Sequence, residues 1–377
     1  MKYFIVVGEL SGDLHGSNLM KGIIKHDADA QFAYMGGELM QAVADGMIRH
    51  YKSTALMGIA AVIKNLSVVK QALDQVKNGI DEYQPDAIIL IDFPSFNMKI
   101  AEFAKKRNLK VFYYISPKIW AWKTWRIKGI KKYVDKMLTI FPFETDFYKS
   151  YGVEVNYVGN PLLDSIGEFK SSAISKEQFS SENNLENGKK IIALLPGSRN
   201  HELRLNLRIM LEAVKDLTDY QIVIGATHAV PNDLYLKIAE GYDVKLVQDK
   251  TYDLLNNAHA ALVTSGTATL ETGLIGCPQV VLFYMKNSWF FKYVLKYIIK
   301  VKWVSLVNLI LNKEAVRELI VHECTVENTR KELTKILDGE DRKQQIEDYK
   351  QLNNLLLPYG AGDNAGKIIV SSTPHRL

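Results

Sequence analysis

The chain has 377 residues, 47% of them hydrophobic and 24% charged. That is globular composition, too long for one ordinary core and suited to two α/β domains. The formal charge of +5 is too small for a nucleic-acid surface unless the bases cluster. Two cysteines, Cys277 and Cys324, make neither a disulfide framework nor a zinc site and fit a reducing cytoplasm. The apolar run 3–7 is too short for a signal-peptide core, and no stretch reaches the roughly 18–20 apolar residues of a spanning helix. The expectation is a soluble or peripheral protein.

Short, near-continuous apolar runs recur at 2–7, 86–91, 110–115, 136–141, 190–195, 220–224, 260–264 and 279–284. Bounded by Gly, Pro or Asp and alternating with helix-like stretches, they predict strands buried on both faces. The fold class is therefore α/β, with doubly wound parallel sheets. The segment 165–188 is polar and weakly periodic and reads as a linker. The expected organisation is a first Rossmann-like domain over 1–165, a second over 166–345 and a helical tail over 346–377. The tail breaks at Pro358-Tyr359-Gly360 and either returns to the first domain or exchanges in a homodimer.

In open α/β sheets ligands bind beyond the carboxyl ends of the strands, so the loops there carry the chemistry. Gly8-Glu9-Leu10-Ser11-Gly12-Asp13-Leu14-His15-Gly16 lets backbone approach a ligand, yet it matches neither a dinucleotide fingerprint nor a P-loop. Ser11 and Asp13 there are ligand groups or helix caps. Asp92 ends a very apolar strand, where desolvation raises a carboxyl toward general-base use, although Asp also serves as an N-cap. Trp120, Trp122 and Trp125, interleaved with bases, line an apolar acceptor groove, bind nucleic acid or pack a core beside a solvated basic face; the confined bases and small net charge disfavour nucleic acid. Gly197-Ser198-Arg199 suits a diphosphate, or is a surface turn with an ion-paired Arg. Ser265-Gly266-Thr267-Ala268-Thr269 opens a helix where phosphate charge is welcome. Glu271, one turn in, accepts ribose hydroxyls or complements the helix dipole. Asp27-Ala28-Asp29 precedes a strand, at the wrong edge for a sugar-nucleotide metal, and no metal constellation is found.

The stretch 289–304, WFFKYVLKYIIKVKWV, lines Lys292, Lys296 and Lys300 along one helical face. Trp289, Phe290 and Phe291 lead an apolar remainder, as in an interfacial helix; the alternative is a core helix with one wet edge. A second apolar patch contains Ile59, Val62 and Ile63. These six residues are the candidate membrane contacts.

Taken in order, the motifs resemble those of lipid-A-disaccharide synthases. They are Gly8-Glu9-x-Ser11-Gly12-Asp13, Met57-Gly58, Asp92-x-Pro94-x-Phe96-Asn97, Ser116-Pro117-x-x-Trp120-Ala121-Trp122, Pro142-Phe143-Glu144 and Val158-Gly159-x-Pro161-Leu162. Further along stand Leu195-Pro196-Gly197-Ser198-Arg199, Ser265-Gly266-Thr267-Ala268-Thr269-Leu270-Glu271 and Val304-Ser305-Leu306-x-Asn308. The resemblance implies an inverting, metal-independent transferase of the GT-B type, with two Rossmann-like domains facing a cleft and no cofactor. It would join a UDP-2,3-diacylglucosamine donor to 2,3-diacylglucosamine 1-phosphate, giving a β-1,6-linked disaccharide 1-phosphate and UDP.

By matching motif, Asp92 is the implied base and Arg199 the implied holder of the diphosphate. Gly197, Ser198, Ser265, Gly266, Thr267, Ala268, Thr269, Glu271, Asn308 and Glu314 would line the donor site. Ser11, Gly12, Asp13, His15 and Asn97 would face the acceptor. The acylated substrates imply a cytoplasmic enzyme held peripherally at the inner face of the cytoplasmic membrane. Ser95, Asn160 and Ala61 depart from the pattern, where Asp, His and Glu are usual. The alternatives are a UDP-N-acetylglucosamine 2-epimerase of similar architecture, which has no use for a Trp/Lys amphipathic helix, and a catalytically silent membrane-bound protein.

Overall fold

The computed structural model describes residues 1–53, 66–121, 124–284 and 302–374. The chain forms two compact units, Met1–Pro161 with Pro358–Leu377, and Leu162–Leu357. The first holds β1 (Lys2–Val6), β2 (Gln31–Gly36), β3 (Met47–His50), β4 (Ala87–Ile91), β5 (Lys110–Tyr114), β6 (Lys136–Thr139) and β7 (Val155–Tyr157) in the order β3-β2-β1-β4-β5-β6-β7. The second holds β8 (Lys190–Leu195), β9 (Tyr220–Ala226), β10 (Val244–Gln248), β11 (Ala260–Thr264), β12 (Gln279–Phe283) and β13 (Arg317–Ile320) in the order β10-β9-β8-β11-β12-β13. Every described pairing is parallel, for example Phe4 with Ile88 and Leu262 with Leu194.

Both units are therefore Rossmann-like doubly wound sheets, and the side-chain alternation of a strand fills a core on each face. Phe4 and Val6 enter one core with Val76, Ile80 and Ile100 of the helices Leu66–Tyr83 and Pro94–Lys105. Tyr3, Ile5 and Val7 enter the other with Leu19 and Ile23 of the helix Leu10–His26. In the second unit Ile192 and Leu194 pack on the helix Asn200–Val214. Ile191 and Ala193 pack opposite, with Phe179, Leu254 and Leu255.

All eight anticipated strands are present within a residue or two. The segment read as a linker is instead helical, Pro161–Ser172 and Lys176–Glu182. Its apolar residues Ile166, Phe179 and Leu185 are buried, and Ser175 caps the second helix by accepting from the Gln178 N–H at 3.2 Å. A few apolar residues at helical spacing hold a mostly polar segment to the core. In the tail, the helix Gly339–Leu355 lies in the second unit and the helix Ala361–Ser372 in the first.

That last helix crosses the helix Leu10–His26 at close range. A Cβ on Gly22 would lie 2.3 Å from the Gly362 carbonyl oxygen, and one on Gly366 would lie 2.6 Å from the Gly22 carbonyl carbon. Lys25 and His26 close the contact on Asp363 at 2.9 and 2.7 Å. Among the described residues no helix is long and apolar enough to cross a membrane. Gly22→Val is expected to lower stability by about 1–3 kcal/mol, the usual effect of overpacking, read as a fall in the thermal melting point. A variant melting with the wild type would show that the two helices do not bear on each other.

Candidate active site

In each sheet the strand order reverses at one place, between β1 and β4 in the first unit and between β8 and β11 in the second. Loops leaving those neighbours diverge and open a crevice at the carboxyl edge. Asp92 stands at the first reversal. β4 is buried along its whole length, and Asp92 and Phe93 follow with φ of 44° and 50°. Two consecutive non-glycine residues in the left-handed region cost on the order of 1 kcal/mol or more each, so neighbours must hold them. The Tyr113 hydroxyl donates to the Asp92 carbonyl at 2.5 Å, and Asn97 Nδ2 donates to it at 2.8 Å. Pro94 then opens the helix Pro94–Lys105. A Cβ on Gly8 would stand 2.3 Å from the Phe93 ring, so the first loop carries glycine where the second lays its aromatic.

Burial pushes the Asp92 carboxyl up to about 6; the Glu9 charge adds to the rise, and Lys118 and a Phe93 backbone hydrogen bond oppose it. Burial drives the His15 imidazole down to about 4, against the pull of Glu9. His15 is therefore neutral near pH 7, and its Nδ1 has no hydrogen-bond partner among the described residues. Ser11 donates to Glu9 at 2.6 Å. Glu9 thus acts on both Asp92 and His15, and Lys118 acts on Asp92, at a single mouth.

Other expected acceptor groups serve the fold. Asp13 is fully buried and accepts the N–H groups of Gly37 at 2.7 Å, Leu39 at 3.0 Å and Met40 at 3.2 Å, capping a neighbouring turn. Asn97 is also fully buried, its Nδ2 directed at the Val6, Ile91 and Asp92 carbonyls. It holds the backbone beneath Asp92. Gly12 is a close-packing residue, since a Cβ would lie 3.0 Å from that of Val7. Trp120 is buried edge-on against Phe143 at 5.0 Å, whereas Trp125 is exposed. Asp27 bonds the N-terminal ammonium at 2.9 Å and the Tyr3 hydroxyl at 3.1 Å.

At the second reversal Gly197 turns with φ of 107°, and a Cβ there would lie 2.8 Å from a Glu202 carboxylate oxygen. Ser198 and Arg199 follow, exposed, at the start of the helix Asn200–Val214. Arg199 is 70% exposed and rests on Glu202 at 2.7 Å. An exposed ion pair of this kind is worth little, so an incoming anion competes for the guanidinium on good terms. Across the reversal Ser265, Gly266, Thr267 and Ala268 bring in the helix Thr267–Ile275, whose first N–H groups favour an anion. Glu271 is largely buried, which raises its carboxyl, while a hydrogen bond from the Tyr252 hydroxyl at 2.9 Å opposes the rise.

Three further expected donor residues have protein partners of their own. Thr269 is buried, with its hydroxyl on the Gly266 carbonyl at 2.8 Å. Asn308 donates to the Val316 carbonyl and Glu318 and accepts from the N–H groups of Ala315 and Val316, so its amide has nothing left to offer a ligand. Glu314 is paired with Arg317 at 2.9 Å. Ile59, Val62, Ile63, Trp289, Phe290 and Phe291 lie outside the described residues, as does Trp122.

Sequence reasoning gave no role to Lys118 or Tyr252 and took Glu144 only as part of the Pro142-Phe143-Glu144 motif. Lys118 follows β5 closely, and that position was the available signal; β10, which precedes Tyr252, was not among the anticipated strands. Glu144 is fully buried, accepts the Ile140 and Phe141 N–H groups at 3.2 and 3.1 Å, and is pushed by burial to about 7. Among the described residues no group of three or more His, Cys, Asp or Glu is arranged to hold a metal ion.

The family model of lipid-A-disaccharide synthetase matches residues 3–360. The chain belongs to that family. A lipid-A-disaccharide synthase of Geobacter metallireducens is 35% identical over 343 residues, covering 89% of this chain and 88% of its own. Another, of Myxococcus xanthus, is 32% identical over 380 residues, covering 99% and 98%. The UDP-GlcNAc 2-epimerase of Neisseria meningitidis shares the fold, with a TM-score of 0.66, coverage of 99% of both chains and only 13% identity. Membership of the synthase family makes the chain a glycosyltransferase, a hexosyltransferase using a UDP-sugar, and sets the epimerase reading aside.

The Asp92 site is expected to lower stability. Its folded-state pKa lies above the ordinary carboxyl value, so its favourable contribution is present only at low pH and is lost as pH rises through about 6. Asp92→Asn should therefore raise stability by about 1–3 kcal/mol at pH 8, with the gain vanishing below about pH 4. Thermal melts across pH test this, and an Asn variant less stable than wild type at pH 8 would contradict it.

Proposed function

We propose that this enzyme transfers the diacylglucosamine of UDP-2,3-diacylglucosamine to the 6-hydroxyl of 2,3-diacylglucosamine 1-phosphate. The acceptor oxygen attacks the anomeric carbon as the bond to UDP breaks, inverting it to the β-1,6-linked disaccharide 1-phosphate. Asp92 takes the hydroxyl proton, and UDP departs with its new charge held by Arg199. Supporting this most directly is Asp92 itself, a carboxyl pushed up to about 6 at the mouth of its sheet. Gly197, Ser198, Ser265, Gly266, Thr267 and Ala268 would supply N–H and hydroxyl groups to the diphosphate, and Glu271 would take the ribose. Ser11 and His15 would meet the acceptor, His15 through an Nδ1 without a protein partner. The step requires the two bound sugars in contact.

Asp92→Ala is expected to lower kcat by about 10²–10⁴-fold and Arg199→Ala by about 10²–10³-fold. Incubation with both acylated substrates and mass detection of the disaccharide reads the loss. Near wild-type turnover in either variant removes that residue from the step. In the wild type kcat/KM should fall as pH drops through about 6, because the protonated carboxyl cannot accept the proton; a flat profile from pH 5 to 8 would exclude Asp92 as the base.

The same reading places the enzyme peripherally on the cytoplasmic membrane, through Ile59, Val62, Ile63, Trp289, Phe290 and Phe291. The Lys-and-aromatic pattern of 289–304 supports it. In flotation with anionic vesicles, binding should weaken in high salt and yet persist, because apolar burial adds to charge attraction. Full release by salt would remove the apolar contribution.

A further inference from the structure

We propose that Tyr252 is the positioning residue for Glu271, holding one carboxylate oxygen so that the other is presented to the ribose hydroxyls of a uridine diphosphate. This rests on the reading of Glu271 as the ribose ligand. Tyr252 is the second residue of the helix Thr251–Asn257, which starts just beyond the carboxyl end of β10. Its hydroxyl donates to Glu271 Oε1 at 2.9 Å, and Oε2 has no hydrogen bond among the described residues.

The tyrosine ring is itself held. Phe169 meets it edge-on at 5.5 Å and 71°. The next residue, Lys170, donates to the Leu274 carbonyl at 3.0 Å, in the last turn of the helix that carries Glu271. The helix Pro161–Ser172 therefore grips both partners of the pair, the phenol through Phe169 and the Glu271 helix through Lys170. Burial, followed by the Glu271 charge, drives the phenol well above its ordinary pKa, so it stays a donor. Burial alone pushes Glu271 toward its neutral form, and the phenol counters that. A buried carboxylate without this donor would rotate or take up a proton, and in either state would accept ribose hydroxyls poorly.

Titration calorimetry on the full chain with UDP and 2′,3′-dideoxy-UDP tests the proposal. Wild type should prefer UDP by about 10-fold or more, the worth of a hydrogen bond to a charged group. Tyr252→Phe, which keeps the ring and its packing, should reduce that preference at least about threefold while leaving the dideoxy affinity unchanged. Glu271→Gln should also lose it. If Tyr252→Phe keeps the full preference while Glu271→Gln loses it, or weakens both nucleotides equally, Tyr252 is structural only and the proposal is overturned. If Glu271→Gln keeps the preference, the ribose reading of Glu271 fails and the proposal falls with it.

Discussion

A strand whose every residue is shielded from water ends at Asp92, and the chain must turn there into a helix within two residues. It does so without glycine, in left-handed backbone at both Asp92 and Phe93. Everything around the first mouth answers to that turn. Tyr113 and Asn97 bond the Asp92 carbonyl, Pro94 sets the helix going, and Gly8 leaves room for the Phe93 ring. The carboxyl is left where it is poorly hydrated, which gives it the proton affinity a base needs near neutral pH. The cost in backbone strain and desolvation is the usual counterpart of a preorganised group.

The second sheet solves the same turning problem differently. Gly197 adopts the positive φ without a side-chain clash, and the charged group that follows is loose. Arg199 is mostly exposed and held by one short-range ion pair with Glu202. In the proposed reaction a fixed carboxyl and an adjustable cation would suit their two tasks: proton transfer is sensitive to distance, whereas a diphosphate is gripped by whatever fork reaches it.

The strands legible in the sequence were those buried on both faces, where the apolar run is nearly continuous. The five missed were β2, β3, β7, β10 and β13, each at a sheet edge or next to one. β3, β7 and β10 alternate half-covered and exposed residues, so their runs are broken. At the sites, position beyond a strand picked out Asp92, Arg199 and Glu271. It did not show that Asp13, Asn97 and Thr269 are spent on backbone groups, because small polar residues near strand ends cap backbone as readily as they bind ligand. Only the hydrogen-bond partners make that distinction. Tyr252 gave no signal, being an aromatic at the start of an ordinary short helix.

The close helix crossing at Gly22, Gly362 and Gly366 joins segments far apart in the chain. The second unit is thus an insertion within the first, bounded by Pro161 and Pro358. On the ribosome, the inserted unit is complete in sequence while the unit that surrounds it still lacks a helix. The earliest-made half of the enzyme must wait with one face of its sheet partly uncovered, and becomes whole only as synthesis passes residue 372.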